Sequence, residues 1–550
     1  MEKALKKYSV HFILFFLFCL SFSTSADFSQ DLGRHLKLGE IIWQTRAIPN
    51  INLFSYTNAS FSFVNHHWMA EVLFYTSNRI FGLSSLQIMK IVLVVSAGWI
   101  SMKSGLAKGG RLVVCTISLF LFPLLLDRLD IRPELFGYVF FAIILYILFF
   151  QENRKLYYFV PLILLLWANT HITFIFGVGL IFLKRRKFLA FFSLFAVMLN
   201  PHGIWGALYP LNIWKNYGYT IVENQNLFFL KSVMVNPIIQ YFLLSVPVIL
   251  IALFILLARK KYAFFIILLT FFVLPFWQVR HMPFFVFAAI PTVSHAFSQV
   301  LSTGIYTRYG GSRNMMYAIV VLSCVLLSFA FISNFYYLVF DKGKSFGMSY
   351  NESQKQATDF VMKSKLKGNI FNNFDIGGYF IYRLFPKYKV FVDNRPEAYP
   401  AEFFQDVYIP LQEKKELRET IFRRYNIHTI FFSNTDMTPW GRAFMQQILK
   451  EPQWRMIYLD DSIVILTDEE KYSDIRSENE KIARLVSAQD DYLSLLRLSS
   501  ILSVMGKDNH SRQAFIKAQK LNPSSCSIKR ATFGVEELNN SWVCTSLFSF

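Results

Sequence analysis

The stretch that decides the fold is PIIQYFLLSVPVILIALFILLA-RKK-YAFFIILLTFFVLPFW, residues 237–277. Its first 22 residues carry no charge, which is long enough for one helix to cross the hydrocarbon core of a bilayer. The basic triplet Arg259-Lys260-Lys261 follows, and a second uncharged run begins directly after it. Two apolar segments around a short basic loop predict a membrane hairpin whose loop lies in the cytoplasm.

The composition of the whole 550-residue chain also indicates a membrane protein. Hydrophobic residues make up 54% of it and charged residues only 17%, whereas soluble proteins have about 25% charged residues. So few charges could not cover several soluble domains with polar surface. The same numbers exclude a disordered chain, a collagen-like repeat and a disulfide-rich secreted fold. Long apolar runs lie at 9–26, 85–102, 112–126, 134–150, 156–168, 171–183, 187–200, 237–258, 262–277, 283–302 and 316–340.

Charge divides the chain near residue 340. Residues 1–340 contain 27 basic and 10 acidic side chains, and the remaining residues contain 29 and 26. We therefore predict a polytopic α-helical membrane protein of about eleven spans, some of them short or re-entrant, followed by an extracytoplasmic α/β domain and a helical tail. The predicted parts are a transmembrane domain at 1–340, with its first outer loop at 27–84, the α/β domain at 341–470 and the tail at 471–550.

The basic residues of the first 340 positions predict the orientation. If the N-terminus is cytoplasmic and every run crosses, 17 of the 27 basic residues face the cytoplasm, together with only Glu2 and Glu152. The other eight acidic residues then lie outside, as does the C-terminal part. Thr24-Ser25-Ala26 resembles a cleavage site, but the length of the first run favours a retained helix.

Several apolar runs are too short to cross alone, and on the predicted outer side they end in polar or ionisable residues. Backbone that stops inside the membrane must line water or protein, because polar groups exposed to hydrocarbon cost several kcal/mol each. The alternative is that these residues are ordinary helix caps. We favour an outward-facing hydrated cavity, with walls near Asp127, Asp130, Arg132, Asn169, His171, Asn200, His202, Arg280 and His281.

The first outer loop contains the densest polar chemistry of this half. Apolar spacing predicts amphipathic helices at 31–44 and 67–82. On a helix, Asp31 and His35 share a face, and so do His67 and Glu71, because each pair is four residues apart. A carboxylate beside an imidazole can act as a general base or bind a divalent ion, although surface pairs of this kind are common.

Short motifs, in a fixed order along residues 27–400, carry a resemblance. They are Asp31-x-x-x-His35-Leu-x-x-Gly39, Pro49 with Phe54-Ser55-Tyr56-Thr57, His67-Trp68-x-x-Glu71, Arg132-Pro133-Glu134-Leu135-Phe136, Trp167-Ala168-Asn169-Thr170-His171, Asn200-Pro201-His202-Gly203, Arg280-His281-Met282-Pro283, Gly377-Gly378-Tyr379 and Val392-Asp393-Asn394-Arg395. In these motifs the chain resembles bacterial members of the C-type (GT-C) glycosyltransferase superfamily, which includes protein O-mannosyltransferases and lipid A sugar transferases.

The resemblance implies an inverting glycosyltransferase of the bacterial inner membrane. It would take a sugar from a polyprenyl-phosphate donor among the membrane lipids and pass it, on the outer face, to a glycan, lipid or protein acceptor. Asp31 and His35 are the implied catalytic residues, with Asp31 as the base, and Arg132, Arg280 or His281 would neutralise the leaving phosphate. Ser29 stands where many members carry the first of two paired acids, so a divalent metal ion stays an open expectation with no ligands assigned. The implied substrate-binding residues are His67, Glu71, Asp127, Asp130, Arg132, His171, His202, Arg280 and His281.

Two other functions stay open from the sequence. A transporter or flippase could hold an anionic lipid-linked substrate in the same cavity, but it would need polar groups near mid-membrane. A non-catalytic scaffold could bind an envelope protein through residues 472–525, whose apolar spacing resembles one tetratricopeptide hairpin. Nothing indicates a nucleic-acid partner. Pairing of Cys526 with Cys544 also stays open.

In the α/β domain, the pattern predicts helices at 351–365 and 411–424. Asp375, Asp393 and Arg395 are its most suggestive polar residues, although a turn with an ion pair at a strand end is the better interpretation of them. Strands are predicted at 370–371, 378–382, 389–392, 429–432 and 462–466.

Overall fold

A computed structural model describes most of the chain. The described residues are 2–24, 31–214, 217–233, 236–301, 310–340, 343–350, 354–436, 438–523, 525 and 528. Asp27, Ser29, the end of the possible leader at residues 25–26, Cys526 and Cys544 lie outside them.

Helices form wherever the sequence of the first part is apolar. Every one of the eleven apolar runs coincides with a helix, because a backbone without water partners must satisfy its hydrogen bonds internally. The helices of this part are α1 (Glu2–Ser21), α2 (Leu32–Thr45), α3 (Trp68–Phe81), α4 (Ser84–Lys108), α5 (Arg111–Leu121), α6 (Glu134–Leu145), α7 (Val160–Thr170), α8 (Phe174–Leu183), α9 (Lys187–Met198), α10 (Gly203–Leu208), α11 (Leu227–Val233), α12 (Pro237–Ala258), α13 (Tyr262–Trp277), α14 (Met282–Leu301), α15 (Gly310–Ile332) and α16 (Phe335–Val339).

The apolar helices confirm a polytopic membrane fold that contains short segments. Within the described residues, five helices are long and apolar enough to cross a membrane, and a sixth span results if α9 and α10, bent by 111°, count as one. The remaining runs form shorter apolar helices or helical pieces. The five long ones are Ala4–Ser21, Ser84–Lys108, Pro237–Ala258, Val279–Leu301 and Asn314–Ile332.

Polar side chains satisfy the backbone where the short helices break. At the bend between α9 and α10, Asn200 Nδ2 donates to the carbonyls of Val197 and Gly203, at 2.9 and 2.8 Å. Between α7 and α8, His171 Nδ1 accepts a hydrogen bond from the backbone N–H of Thr173 at 3.3 Å and lies 2.8 Å from Thr173 Oγ1. The breaks are therefore internally bonded, as chain ends at membrane depth must be.

Helix α14 is the central helix of the membrane half. Of its most apolar 18-residue stretch, 72% is buried inside the protein. The helix packs against α4, α5, α12 and α13. A short 3-10 turn, Val279–His281, precedes it and places Arg280 and His281 at its N-terminal end.

The first outer loop forms the two predicted amphipathic helices, α2 and α3, and they pack between the two halves of the chain. Leu32 and Phe74 share one buried core with Leu86 of α4 and with Phe380 and Ile465 of the C-terminal part. This core joins the membrane half to the domain that follows it.

Gly39 lets α2 and α3 approach closely. A Cβ atom at this position would lie 2.1 Å from the backbone oxygen of Glu71, so no larger residue fits without moving a helix. We expect Gly39→Ala to lower the free energy of unfolding by about 1–3 kcal/mol, as overpacking does, which a thermal-unfolding series in detergent would measure. Gly179→Ala is the matched control, because a Cβ there meets nothing within 4 Å. Equal melting temperatures for the two variants would contradict the close packing.

A mixed four-stranded sheet forms the core of the C-terminal domain. Its strand order is β1-β2-β4-β3, with β1 parallel to β2 and the other pairs antiparallel. The strands are β1 (Asn369–Asn372), β2 (Ile427–Ser433), β3 (Arg455–Leu459) and β4 (Ile463–Thr467). The helices are α17 (Lys355–Lys363), α18 (Gly377–Leu384), α19 (Ile409–Glu413), α20 (Lys415–Arg424), α21 (Pro439–Ile448), α22 (Asn479–Ala488), α23 (Tyr492–Val504) and α24 (Asp508–Leu521).

Two predicted strands of this domain are wrong. Residues 378–382 belong to α18, and residues 389–392 contribute only an isolated bridge between Val390 and Ser55. Residues 377–381 are buried throughout, so their apolar pattern has neither a strand period nor a helix period. The predicted strands at 370–371, 429–432 and 462–466 are confirmed, as are the two predicted helical regions where they are described.

The tail is a helical hairpin attached to the preceding domain. Leu495 and Leu502 of α23 and Ala514 of α24 share a buried core with Ile482 of α22 and Phe432 of β2. The hairpin thus buries its apolar face against its own chain. Binding of an envelope protein by residues 472–525 stays a prediction.

Candidate active site

Asp31 lies at the start of α2, where three distant stretches of the chain meet. Its Oδ1 accepts hydrogen bonds from Arg34 Nη2 at 3.0 Å and from Asn394 Nδ2 at 2.6 Å. Arg132 Nη2 lies 3.8 Å from Oδ2. The Asp31 side chain keeps 21% of its surface exposed, so its carboxylate is oriented by its neighbours and still reachable.

Asn394 reaches Asp31 because a buried ion pair anchors the neighbouring residues. Arg395 donates from Nε and Nη2 to the two carboxylate oxygens of Asp393, both at 2.7 Å. The same guanidinium donates to Asn52 Oδ1 at 2.8 Å and lies 5.0 Å from the ring of Phe54. The expected ion pair is present, although no strand of the described chain ends directly before it, and it docks the C-terminal domain onto the first outer loop.

Arg132 connects Asp31 to a network of buried charges. Its Nη1 lies 2.5 Å from both carboxylate oxygens of Glu223. Arg128 contacts Glu223 at 2.8 Å and Glu134 at 2.5 Å. Burial alone would raise the pKa of Glu223, but the two arginines outweigh it and hold that pKa well below its usual range. Glu223 is therefore the shared acidic partner that holds both guanidinium groups in place.

A cavity of about 300 Å³ opens beside this network. Asp127 and Asp130 lie in its wall, where Asn236 and Lys344 bind them, each at 2.6 Å. Most of its cations are thus paired with acids. The other polar or charged residues of the wall are Ser23, Arg128, Glu223, Asn236, Arg280, Tyr336, Tyr337 and Lys344.

Arg280 is the exception among the cations of the cavity. Its Nη1 donates to the amide oxygen of Asn224 at 2.8 Å, and within the described residues it has no carboxylate partner. It also lies just before the N-terminus of α14, where the helix dipole is positive. Among the described residues, therefore, no acidic side chain pairs with the positive charge at this end of the cavity.

A second cluster combines imidazoles with a carboxylate. His35 Nδ1 lies 2.9 Å from Glu71 Oε1, and Asn65 Nδ2 donates to Glu71 Oε2 at 2.7 Å. The ring of His67 lies 5.4 Å from that of His35 and 5.2 Å from that of His171. Burial raises the pKa of Glu71 to about 7 and lowers that of His35 well below its usual range.

One of the two predicted pairs changes its partner. His67 lies beside Glu71 as expected, with donor atoms within 4.8 Å of each other. His35, expected beside Asp31, instead bonds to Glu71 on the other helix, and Asp31 bonds to Arg34 and Asn394. The reason is the close contact of α2 and α3 at Gly39, one turn after His35. It places Glu71 against the face of α2 that carries His35 and Gly39.

The structure sorts the remaining predicted residues into separate places. Asp127, Asp130 and Arg280 line the cavity, and Arg132 bridges it to Asp31. His171 belongs to the imidazole cluster. Burial lowers the pKa of His66, the residue before His67, to about 4, and His202 lies close enough to lower it further. His281 is buried, with its ring 5.4 Å from that of Phe176, and it is not among the residues that line the cavity.

Sequence reasoning gave no role to Lys344, Asn65 or Asn394. Asn394 did stand within a quoted motif, whereas nothing in the pattern marked Lys344 or Asn65. Lys344 and Asn394 join the site through contacts between segments that are distant in sequence. Asn65 joins it through the conformation of the loop before α3.

Asp375, near β1, carries a testable pH dependence. Burial, with the nearby Asp436 carboxylate, raises its pKa to about 7 from an unfolded value of about 3.9. The folded chain then binds the proton more tightly, so stability falls as pH rises from about 4 to 7. We expect Asp375→Asn to be more stable than the parent at pH 8, by up to a few kcal/mol at about 1.4 per pKa unit, and equal to it near pH 4. Thermal unfolding against pH measures this, with exposed Asp406→Asn as control; parallel curves at all pH values would contradict it.

No family model matches the sequence, and no curated protein matches it. Solved structures do match. An archaeal oligosaccharyltransferase, AglB from Archaeoglobus fulgidus, in complex with an inhibitory peptide and a dolichol-phosphate, has a TM-score of 0.56 at 9% identity, over 96% of this chain and 86% of that one. The chain has a GT-C fold.

Two further structures of the Archaeoglobus fulgidus oligosaccharyltransferase match over most of the GT-C fold. One is tethered to an acceptor peptide containing the NVT sequon, with a TM-score of 0.53 at 11% identity, over 84% of this chain and 74% of that one. The other is a complex with zinc and sulfate, with a TM-score of 0.50 at 10% identity, over 89% and 81%. The fold expected from the order of the motifs is thus confirmed.

Proposed function

We propose that this chain is a membrane glycosyltransferase that moves a sugar from a polyprenyl-phosphate donor to an acceptor on the extracytoplasmic face. The observation that carries the proposal is the junction of an accessible carboxylate, Asp31, with a charged cavity through Arg132. The GT-C fold supports it, since the similar oligosaccharyltransferase was solved with a dolichol-phosphate. The bacterial inner membrane and a cytoplasmic N-terminus belong to the same proposal.

Asp31 is the proposed base. Its Oδ1 holds two hydrogen bonds, whereas Oδ2 accepts none within the described residues and is left to take a proton from the acceptor hydroxyl. Arg34 and Asn394 fix the carboxylate, which avoids the cost of orienting it during the reaction. The acceptor oxygen would then form a bond to the anomeric carbon while the bond from that carbon to the lipid phosphate breaks.

Arg280 is the proposed partner of the leaving phosphate. Negative charge builds on the phosphate oxygen as the glycosidic bond breaks, and a guanidinium stabilises it through charge-assisted hydrogen bonds. Arg132 and Arg128 are less suited, because both already have acidic partners. Glu134 and Glu223 pair with Arg128, and Glu223 and Asp31 pair with Arg132. The ring of His281 packs edge-to-face against the ring of Phe176. Of the three residues named from the sequence, Arg280 therefore fits this role best.

Release of the lipid carrier tests the proposal. Full-length protein in lipid nanodiscs would be incubated with the polyprenyl-phosphate sugars and the acceptor-containing envelope fraction of the source organism, and free polyprenyl phosphate would be measured by mass spectrometry. We expect release that depends on both protein and acceptor fraction. Movement of intact donor across the bilayer of liposomes, with no release of polyprenyl phosphate, would identify a flippase and contradict a transferase.

A further inference from the structure

The imidazole cluster between α2 and α3 contains one set of side chains that converge on a single point. The donor atoms of His35, His67 and Glu71 all lie within 4.8 Å of one another, and within the described chain this is the one group of three or more such residues. His35 and Glu71 are buried, and His67 is partly buried. The set comes from both helices of the first outer loop.

The contacts around the cluster resemble those that support metal ligands in proteins. The hydrogen bond from Asn65 to Glu71 Oε2 orients the carboxylate so that Oε1 faces His35, which is the kind of support that metal ligands receive from their neighbours. A bond between His35 and Glu71 alone would need no third residue, yet a ring nitrogen of His67 lies within 4.8 Å of both donor atoms. The ring of His171, stacked 5.2 Å from His67, restricts that imidazole further.

The donor set selects the ion. Two imidazole nitrogens and one carboxylate oxygen suit zinc and other first-row divalent metals, and three protein ligands leave a fourth position for water. Calcium and magnesium prefer oxygen ligands alone. We propose that His35, His67 and Glu71 bind Zn²⁺ or a similar first-row divalent ion.

The proposed metal site is separate from Asp31. That carboxylate is held by Arg34 and Asn394 and is not one of the three converging residues. Because His35 follows Asp31 by one turn of α2, an ion bound to both α2 and α3 would fix the helix start from which Asp31 projects. His35, His67 and Glu71 are thus positioning residues for the proposed base; this role rests on the proposed function, whereas the binding of metal does not.

Metal content tests the site without any activity assay. The full-length protein would be stripped with a chelator, reloaded with zinc alone, washed and measured by inductively coupled plasma mass spectrometry. We expect about one zinc per chain for the parent and at least tenfold weaker binding for His67→Ala and for Glu71→Gln. Glu71→Gln keeps the size of the side chain, and gel filtration together with circular dichroism would show that both variants fold.

His428→Ala is the matched control, because His428 also bonds a carboxylate, Asp468, at 2.9 Å, but has no third ligand within the described residues. It should keep the parent's zinc. Cobalt substitution adds a spectroscopic test, since the visible absorption of bound Co²⁺ should disappear in His67→Ala. Stoichiometric zinc that survives in both cluster variants, or that is lost in Asp31→Asn instead, would overturn the proposal, as would a parent protein that retains none. Zinc binding by a protein without transferase activity would leave this site intact and refute only the proposed function.

Discussion

Asp31→Asn is expected to lower the rate of sugar transfer by a factor of about 10³, within the range that a general base contributes. Asparagine keeps an oxygen that can accept the hydrogen bonds now made by Arg34 and Asn394, so the geometry at the start of α2 should persist. What it loses is the ability to take a proton from the acceptor. The expected pattern is a fall in kcat with little change in KM for the donor, measured as release of polyprenyl phosphate.

Glu152→Gln provides the control for this change. Glu152 is exposed in the predicted cytoplasmic loop after α6, and removing its charge should leave transfer unchanged. An Asp31→Asn variant that folds like the parent and keeps more than a tenth of its rate would show that another group is the base.

Arg280→Gln is expected to reduce kcat/KM for the donor by about 10²–10³, the usual cost of removing one donor aimed at developing charge. The reason is the position of its charge, at the end of the cavity before α14, where no acidic side chain within the described residues neutralises it. Glutamine can still donate a hydrogen bond, so part of the ground-state binding should survive. Steady-state kinetics with varied donor concentration measures kcat and the KM for the donor separately.

The matched control for Arg280 is Arg259→Gln, which removes an exposed cation at the opposite end of a neighbouring helix, α12. Its expected effect on transfer is less than twofold. If the two variants lose activity equally, net positive charge rather than the position of Arg280 is responsible, and the proposed phosphate contact is wrong.

The membrane half could be predicted well from the sequence because one physical rule governs it. A segment such as 237–258 is apolar on every side, and in lipid such a chain has no alternative to a helix. The amphipathic helices α2 and α3 were also predictable, since a period of 3.6 residues is local information. The conclusion holds for elements whose environment is uniform along their length.

The candidate site was only partly predictable. The pattern identified Asp31, His35, His67 and Glu71 as unusual, but the choice of partners depends on the approach of two helices at Gly39, which spacing within one helix does not reveal. Asn394 lies 363 residues from Asp31 in sequence, and its contact depends on the buried Asp393–Arg395 pair. The predicted strand at 378–382 is wrong for a related reason. Burial on all sides removes the periodicity that distinguishes a strand from a helix.

The most direct test of the central claim is a cryo-electron microscopy structure of the full-length chain with a polyprenyl phosphate. We predict phosphate density in the cavity, within about 3 Å of the Arg280 guanidinium and on the side that faces Asp31. Lipid phosphate bound elsewhere while this cavity stays empty, or Asp31 and Arg280 on opposite faces of the bilayer, would contradict the account.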